Sequence, residues 1–104
     1  MAYPSKYKDA QVEILGVPVN PAKQLVAGSA SSSTALTSTV QRISMRAVGA
    51  DIRFSIGTGT QTANGNTSPF IANGERLDFA VPEGSNIAVI RDGTVNGTLE
   101  LTEL

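Results

Sequence analysis

The stretch QRISMRAVGADIRFSIG, residues 41–57, decides the fold class of this chain. Its first half places apolar side chains at positions 43, 45 and 47, and its second half places them at positions 52, 54 and 56. Arginine, serine or aspartate fills the positions between them. An apolar side chain at every second position is typical of a β-strand with one buried face. Because only a few residues separate the two runs, they predict a β-hairpin.

The same period of two recurs along the rest of the chain. It runs through RLDFAV (residues 76–81) and TLEL (residues 98–101), whereas NIAVI (residues 86–90) is apolar on both faces and predicts a central strand. Weaker patterns predict strands at residues 12–17, 24–27 and 35–36, and a short edge strand before an Asn73-Gly74 turn. No segment keeps a helical period over three turns. Residues 11–104 are therefore predicted to form one all-β domain, a β-sandwich or jelly-roll-like fold of about seven or eight short antiparallel strands.

Residues 1–10 have no strand pattern and are predicted to form an extended N-terminal arm. Pro4 opposes a helix there, and the two lysines and the aspartate of this segment are residue types that prefer water. One interpretation is a frayed terminus. The other is an arm that becomes ordered on a partner, which Tyr3 and Tyr7 favour because their rings offer large contact areas on a chain that is otherwise poor in aromatics.

The composition argues against several classes of partner. The net charge is −1, and the eight basic and nine acidic residues form no run. Binding to nucleic acid or to anionic lipid needs a basic face, so neither partner is expected. No apolar run has the length of a signal peptide or of a membrane span, and we expect synthesis in a cytosol.

The residue types needed for most catalytic sites are also missing. The chain has no cysteine and no histidine, which removes thiolate nucleophiles, imidazole bases and most zinc or copper sites. A serine nucleophile would have no histidine to activate it. The carboxylates are scattered and lack an aromatic platform for a sugar. We therefore expect no enzymatic activity, no catalytic residue, no cofactor and no metal.

The glycine-rich stretch GTGTQTANGN, residues 57–66, has the composition of a phosphate-binding loop but lacks the required pattern. A P-loop needs a lysine followed by serine or threonine, and no lysine occurs after Lys23. A dinucleotide loop needs a third glycine where Thr62 stands, and a helix after it. The stretch is instead predicted to be a polar connection between strands, in which glycine and asparagine permit positive φ angles.

Candidate protein-contact residues come from the arm and from the predicted strands. Arg42, Arg46 and Arg53 alternate outward and are predicted to line one exposed sheet face. Such a face either serves solubility or contacts an acidic protein surface. The complete set of candidates is Tyr3, Tyr7, Arg42, Arg46, Arg53 and Phe70.

Several of these segments also carry a resemblance to a known group of proteins. The matching pieces are Arg42, Ile43 and Ala47; Phe54, Ile56 and Gly57; Gly84 with residues 87–92; and residues 97–103. Over residues 12–104 the chain resembles small β-rich proteins encoded among the structural genes of tailed bacteriophages.

The resemblance implies a capsid decoration, or cement, protein. Such proteins commonly sit as trimers on the outer surface of the head and clamp neighbouring capsid subunits. The implied partner is the major capsid protein, the implied assembly is a homotrimer, and the implied location is the virion surface after synthesis in the bacterial cytoplasm. The alternative is a tail-associated module, such as a fibre, adaptor or baseplate component, that contacts another virion protein or a host-surface ligand.

Overall fold

The computed structural model describes residues 22–104, which form eight strands and no helix. In chain order the strands are β1 (Lys23–Ala27), β2 (Ser32–Ala35), β3 (Arg42–Val48), β4 (Ile52–Thr58), β5 (Phe70–Ile71), β6 (Arg76–Ala80), β7 (Ser85–Arg91) and β8 (Gly97–Glu103). Every pair of neighbouring strands is antiparallel. The predicted all-β fold of short antiparallel strands is thus confirmed. The predictions for residues 1–10 and 12–17 lie outside the described residues.

The eight strands form two sheets of four. Sheet A has the order β1-β8-β3-β6, and sheet B has the order β2-β7-β4-β5. The segment predicted as a central strand is β7, which lies between β2 and β4, so that prediction is confirmed.

The predicted hairpin between β3 and β4 is wrong, because these two strands belong to different sheets. The turn at residues 49–51 carries the chain from sheet A to sheet B, and Gly49 takes a φ of 93° there. A period of two shows which face of a strand is buried, but it does not specify the strand that lies beside it.

One core contains side chains from both sheets. Sheet A contributes Ile43, Met45 and Leu101, and sheet B contributes Ile87 and Val89, all fully buried. Met45 lies opposite Leu101 in the register of β3 and β8. The inward positions predicted from the alternation in these strands are therefore confirmed.

The register also defines the two ends of the fold. A row across sheet A runs Lys23, Leu101, Met45 and Leu77. One end of the sheet, here called the Glu103 end, contains the start of β1, the end of β8 and the end of β6. Its connections are held together by backbone bonds such as Gly84 N–H to the Ser38 carbonyl, 3.2 Å, and Val81 N–H to the Gln41 carbonyl, 2.8 Å.

The opposite end, here called the Asn73 end, contains the turns at residues 28–31, 49–51, 72–75 and 92–96. Gly74 takes a φ of 85° in the predicted Asn73-Gly74 turn. The Asn73 side-chain oxygen accepts a bond of 3.0 Å from the Gly49 amide, and the Asn73 amide donates to Asp51, 2.8 Å. The Asn73-Gly74 turn is therefore hydrogen-bonded to the turn at residues 49–51, which connects the two sheets.

Candidate protein-contact surfaces

The outer face of sheet B is covered by the chain itself. The connection from β4 to β5, residues 59–69 and here called the cover loop, folds back over this face. The Gly59 carbonyl accepts a bond from the Asn86 side chain, 2.6 Å, and the Gln61 side-chain oxygen accepts one from the Ser55 hydroxyl, 2.7 Å. The glycine-rich stretch is thus a connection between strands, as predicted, with a packing role that the sequence did not reveal.

The next residues of the cover loop continue across the same face. The Ala63 amide donates to the Ser31 hydroxyl oxygen, 2.9 Å, at the start of β2. Ala88, which points away from the core in β7, is 0% exposed as a result. The apolar character of both faces of NIAVI therefore has an intramolecular explanation.

The amides of the cover loop are used within the chain. The Asn64 side-chain oxygen accepts bonds from the Asn66 and Thr67 amides, 2.8 and 3.2 Å. The Asn64 amide donates to the Ser68 hydroxyl oxygen, 2.8 Å. A phosphate-binding loop instead directs several amides at one anion.

Sheet A has an outer face without a comparable cover among the described residues. Val26 of β1 and Val48 of β3 flank Thr98 of β8 in one row, and they are 62% and 39% exposed. These three residues, with the outward side chains of the same strands, are here called the contact face. The two valines, with Thr98 between them, form a small patch of exposed apolar surface, and its burial against a protein partner would be favourable.

Charged side chains border this patch. Arg46 lies opposite Glu100 in the register of β3 and β8, and Gln24 reaches Glu100 with its side-chain amide at 3.5 Å. Further along, Arg76 donates to the Ser44 hydroxyl oxygen, 2.9 Å. The contact face is thus a mixed surface, with an apolar row near the Asn73 end and charges of both signs beyond it.

The structure places the predicted arginines on two different sheets. Arg42 and Arg46 are exposed on β3 in sheet A, whereas Arg53 lies on β4 in sheet B. The prediction that all three line one face is therefore wrong, because it rested on the hairpin. Their role in protein contact stays a prediction, and Tyr3 and Tyr7 lie outside the described residues.

The structure does bring Arg53 and Phe70 together. The Arg53 Nε lies 2.7 Å from an Asp92 oxygen, and its Nη1 donates to the Ser68 carbonyl, 2.8 Å. The guanidinium carbon lies 5.4 Å from the centre of the exposed Phe70 ring. The Arg53 side chain therefore links the last part of the cover loop to Asp92, just after β7, and its charge is paired within the chain.

An apolar groove opens on the side of the fold where β4 faces β6. It has a volume of about 230 Å³ and is here called the side groove. Its lining residues are Phe54, Ile56, Pro69, Phe79, Ala80, Val81 and Pro82.

The side groove exists because β5 is only two residues long. The bond from the Phe54 amide to the Pro69 carbonyl, 3.0 Å, lies at the N-terminal end of β5, and β4 continues beyond it to Thr58. Phe79 points inward from the edge strand β6 and packs on Phe54 with 5.8 Å between ring centres, yet it stays 37% exposed. The alternation in RLDFAV is that of a strand with an inward Phe79, but it does not reveal that the short β5 leaves the core open here.

A buried carboxylate holds the Glu103 end together. Glu103 is 0% exposed, and its two oxygens accept bonds from the Thr37 amide, 2.7 Å, and the Thr37 hydroxyl, 2.8 Å. Glu103 points inward because it continues the alternation of Leu99 and Leu101. That alternation was the signal for its burial, although a charged residue is usually expected outside.

A polar depression of about 310 Å³ lies at the Asn73 end, between the turns that carry Asp51, Asn73 and Asp92. Asp51 is bonded to the Asn73 amide and Asp92 to Arg53, so each carboxylate has a protein partner. Across residues 22–104, no three His, Cys, Asp or Glu side chains come together in a way that could hold a metal ion. The same residues include no helix with the length and hydropathy needed to cross a membrane.

Comparison with models of protein families, with curated proteins and with solved structures finds no match to this chain.

Proposed function

We propose that this chain is a structural virion protein that decorates the outer surface of a bacteriophage head. In this role it binds the major capsid protein as a homotrimer and stabilises the contacts between capsid subunits. The proposal is supported by the resemblance over residues 12–104 and by one structural observation, the difference between the two sheets. The chain covers the outer face of sheet B with its own loop and leaves the contact face of sheet A uncovered among the described residues.

The contact face suits a role in clamping more than a role in chemistry. It is formed by β1, β8 and β3, with Val26 and Val48 in its apolar row and Arg46 among its charges. A single surface of this kind gives a weak contact, but many copies bound to one particle act together.

We infer further that the two sheets form a β-sandwich with jelly-roll topology, preceded by an extended arm at residues 1–10. Consecutive strands alternate between the sheets except at β4 and β5. Eight strands arranged as two Greek keys define a jelly roll, a fold common among viral capsid and lectin domains. By analogy, such a likeness of fold supports the proposed virion role.

Copy number tests the proposed location. Quantitative mass spectrometry of virions purified from the phage that encodes this chain should find hundreds of copies in each particle. A handful of copies would contradict the head location and would favour a tail-associated module instead.

Substitution of the contact face tests the proposed surface. Val26→Asp combined with Val48→Asp places two charges in the apolar row at exposed positions, so the fold should persist. We expect incorporation into particles to fall by about tenfold or more, because a buried unpaired charge opposes binding. Thr60→Asp in the exposed part of the cover loop is the matched control. Equal incorporation of the double variant and the control would rule out this face as the contact.

A further inference from the structure

The side groove leaves apolar side chains open to solvent, which points to an occupant. Phe79 of β6 is 37% exposed and Ile56 of β4 is only partly buried, although both belong to inward faces, and they line the groove beside the buried Phe54. Covering such apolar surface is favourable. The occupant must be apolar, since the lining carries no charged side chain.

The chain outside the described residues begins at the right end of the molecule. Ala22 precedes β1 at the Glu103 end, and β6 finishes at the same end. β1 and β6 lie at opposite edges of sheet A, three strand spacings apart, or about 14 Å. Five residues in an extended conformation span about 16 Å, so residues 18–22 suffice to cross this end. Residues 12–17 would then reach the side groove.

The composition of that segment matches the groove. Residues 12–17 read VEILGV and contain four aliphatic side chains and one charge. By contrast, residues 1–10 carry three charges and no valine, leucine or isoleucine. The aliphatic segment of the N-terminal residues is thus the part that lies within reach of the aliphatic and aromatic groove.

We propose that residues 12–17 bind in the side groove of the same chain. Val12 and Ile14, which share one face of an extended segment, supply apolar side chains that cover Ile56 and Phe79. This inference is independent of the proposed virion role, because it concerns the isolated protein.

Hydrogen exchange on the full chain tests whether the segment is bound. Amides of residues 12–17 should exchange at least about tenfold more slowly than in a synthetic peptide of residues 1–21. Phe79→Asp should raise their exchange to the rate of the peptide. Val95→Asp, at an exposed valine in the turn before β8, should leave the protection in place.

A second variant covers the case in which Phe79→Asp disturbs the fold. Ile14→Asp alters the segment and leaves every described residue unchanged, and it should remove the same protection. Peptide-like exchange in the unaltered chain would overturn the proposal. Protection that survives Ile14→Asp would overturn it as well.

Pairs of introduced cysteines test whether residues 12–17 of the same chain or of a second copy fill the groove. The chain has no native cysteine that could form a competing disulfide. Ile14→Cys with Ala80→Cys should form a disulfide within a monomer under mild oxidation, seen as a mobility shift without reductant. Ile14→Cys with Ala30→Cys, near the Asn73 end, should form none. A disulfide-linked dimer from the first pair would mean that a second copy fills the groove, and it would overturn the proposal. Failure of the first pair to form any disulfide would also overturn it.

Discussion

Glu103 shows how one buried side chain adds to the backbone bonds that hold a connection between strands. Its carboxylate accepts both the amide and the hydroxyl of Thr37, which lies in the connection from β2 to β3. Hydrogen bonds to a charged group are among the stronger ones in proteins. The buried carboxylate therefore fixes this connection on the end of β8.

We predict that Glu103→Ala lowers the free energy of unfolding by about 2 kcal/mol, because both Thr37 donors lose their acceptor. Glu103→Gln should cost less, since the amide oxygen can still accept one bond. Urea denaturation measures both changes.

Glu100→Gln is the matched control, because Glu100 lies on the same strand and faces outward. It should change the free energy of unfolding by less than about 0.5 kcal/mol. Similar losses at positions 100 and 103 would show that the buried carboxylate has no special role.

At the scale of secondary-structure elements, the cover loop is the feature with the largest consequence. It lies on the outer face of β7 and β4, and its shape depends on Asn64, whose side chain accepts two amides of the same loop. An asparagine that bonds the amides two and three residues ahead stabilises a turn without any regular strand or helix.

We predict that Asn64→Ala loosens the cover loop and raises amide exchange at residues 63–68 by about fivefold, in line with the loss of about 1 kcal/mol for a hydrogen bond. Exchange in the core strands should change far less, because the loop opens locally. Hydrogen exchange by mass spectrometry resolves the two regions.

Asn66→Ala provides the control within the same loop, because the Asn66 side chain is exposed and the bond to Asn64 uses only its backbone amide. The control should exchange at the native rate. If both variants exchange alike, the Asn64 side chain does not organise the loop.

The strands show how far the sequence predicts this fold. The period of two correctly predicted that Ile43, Met45 and Leu101 point inward, because the alternation within a single strand shows which of its faces is buried. Strand partners depend on contacts between distant segments, so the hairpin of β3 and β4 was predicted wrongly. The packing of the cover loop was not predicted either. It depends on bonds to the Ser31 hydroxyl oxygen and from the Ser55 hydroxyl, and the sequence does not indicate which partner a serine hydroxyl will have.

The same distinction applies to the candidate site. Arg42 and Arg46 were predicted to be outward and are exposed, but the valine pair of the contact face was not foreseen. Val26 and Val48 lie on strands that are not neighbours, with Thr98 of β8 between them. Only the strand order of sheet A brings them into one row.

At the scale of the whole molecule, the question is whether one chain covers its own apolar surfaces. NIAVI is apolar on both faces, so each face of this strand needs cover. In the structure the chain supplies its own cover there, and Ala88 is fully buried under the loop. The contact face of sheet A and the resemblance to decoration proteins now carry the case for assembly.

We predict that the protein forms a homotrimer in solution. The number three comes from the resemblance to decoration proteins, which commonly form trimers. A stable interface of standard size buries about 800 Å² on each partner. Static light scattering at micromolar concentration should give three times the mass of one chain. A monomer that still decorates capsids would contradict an obligate trimer, because three copies would then meet only on the shell.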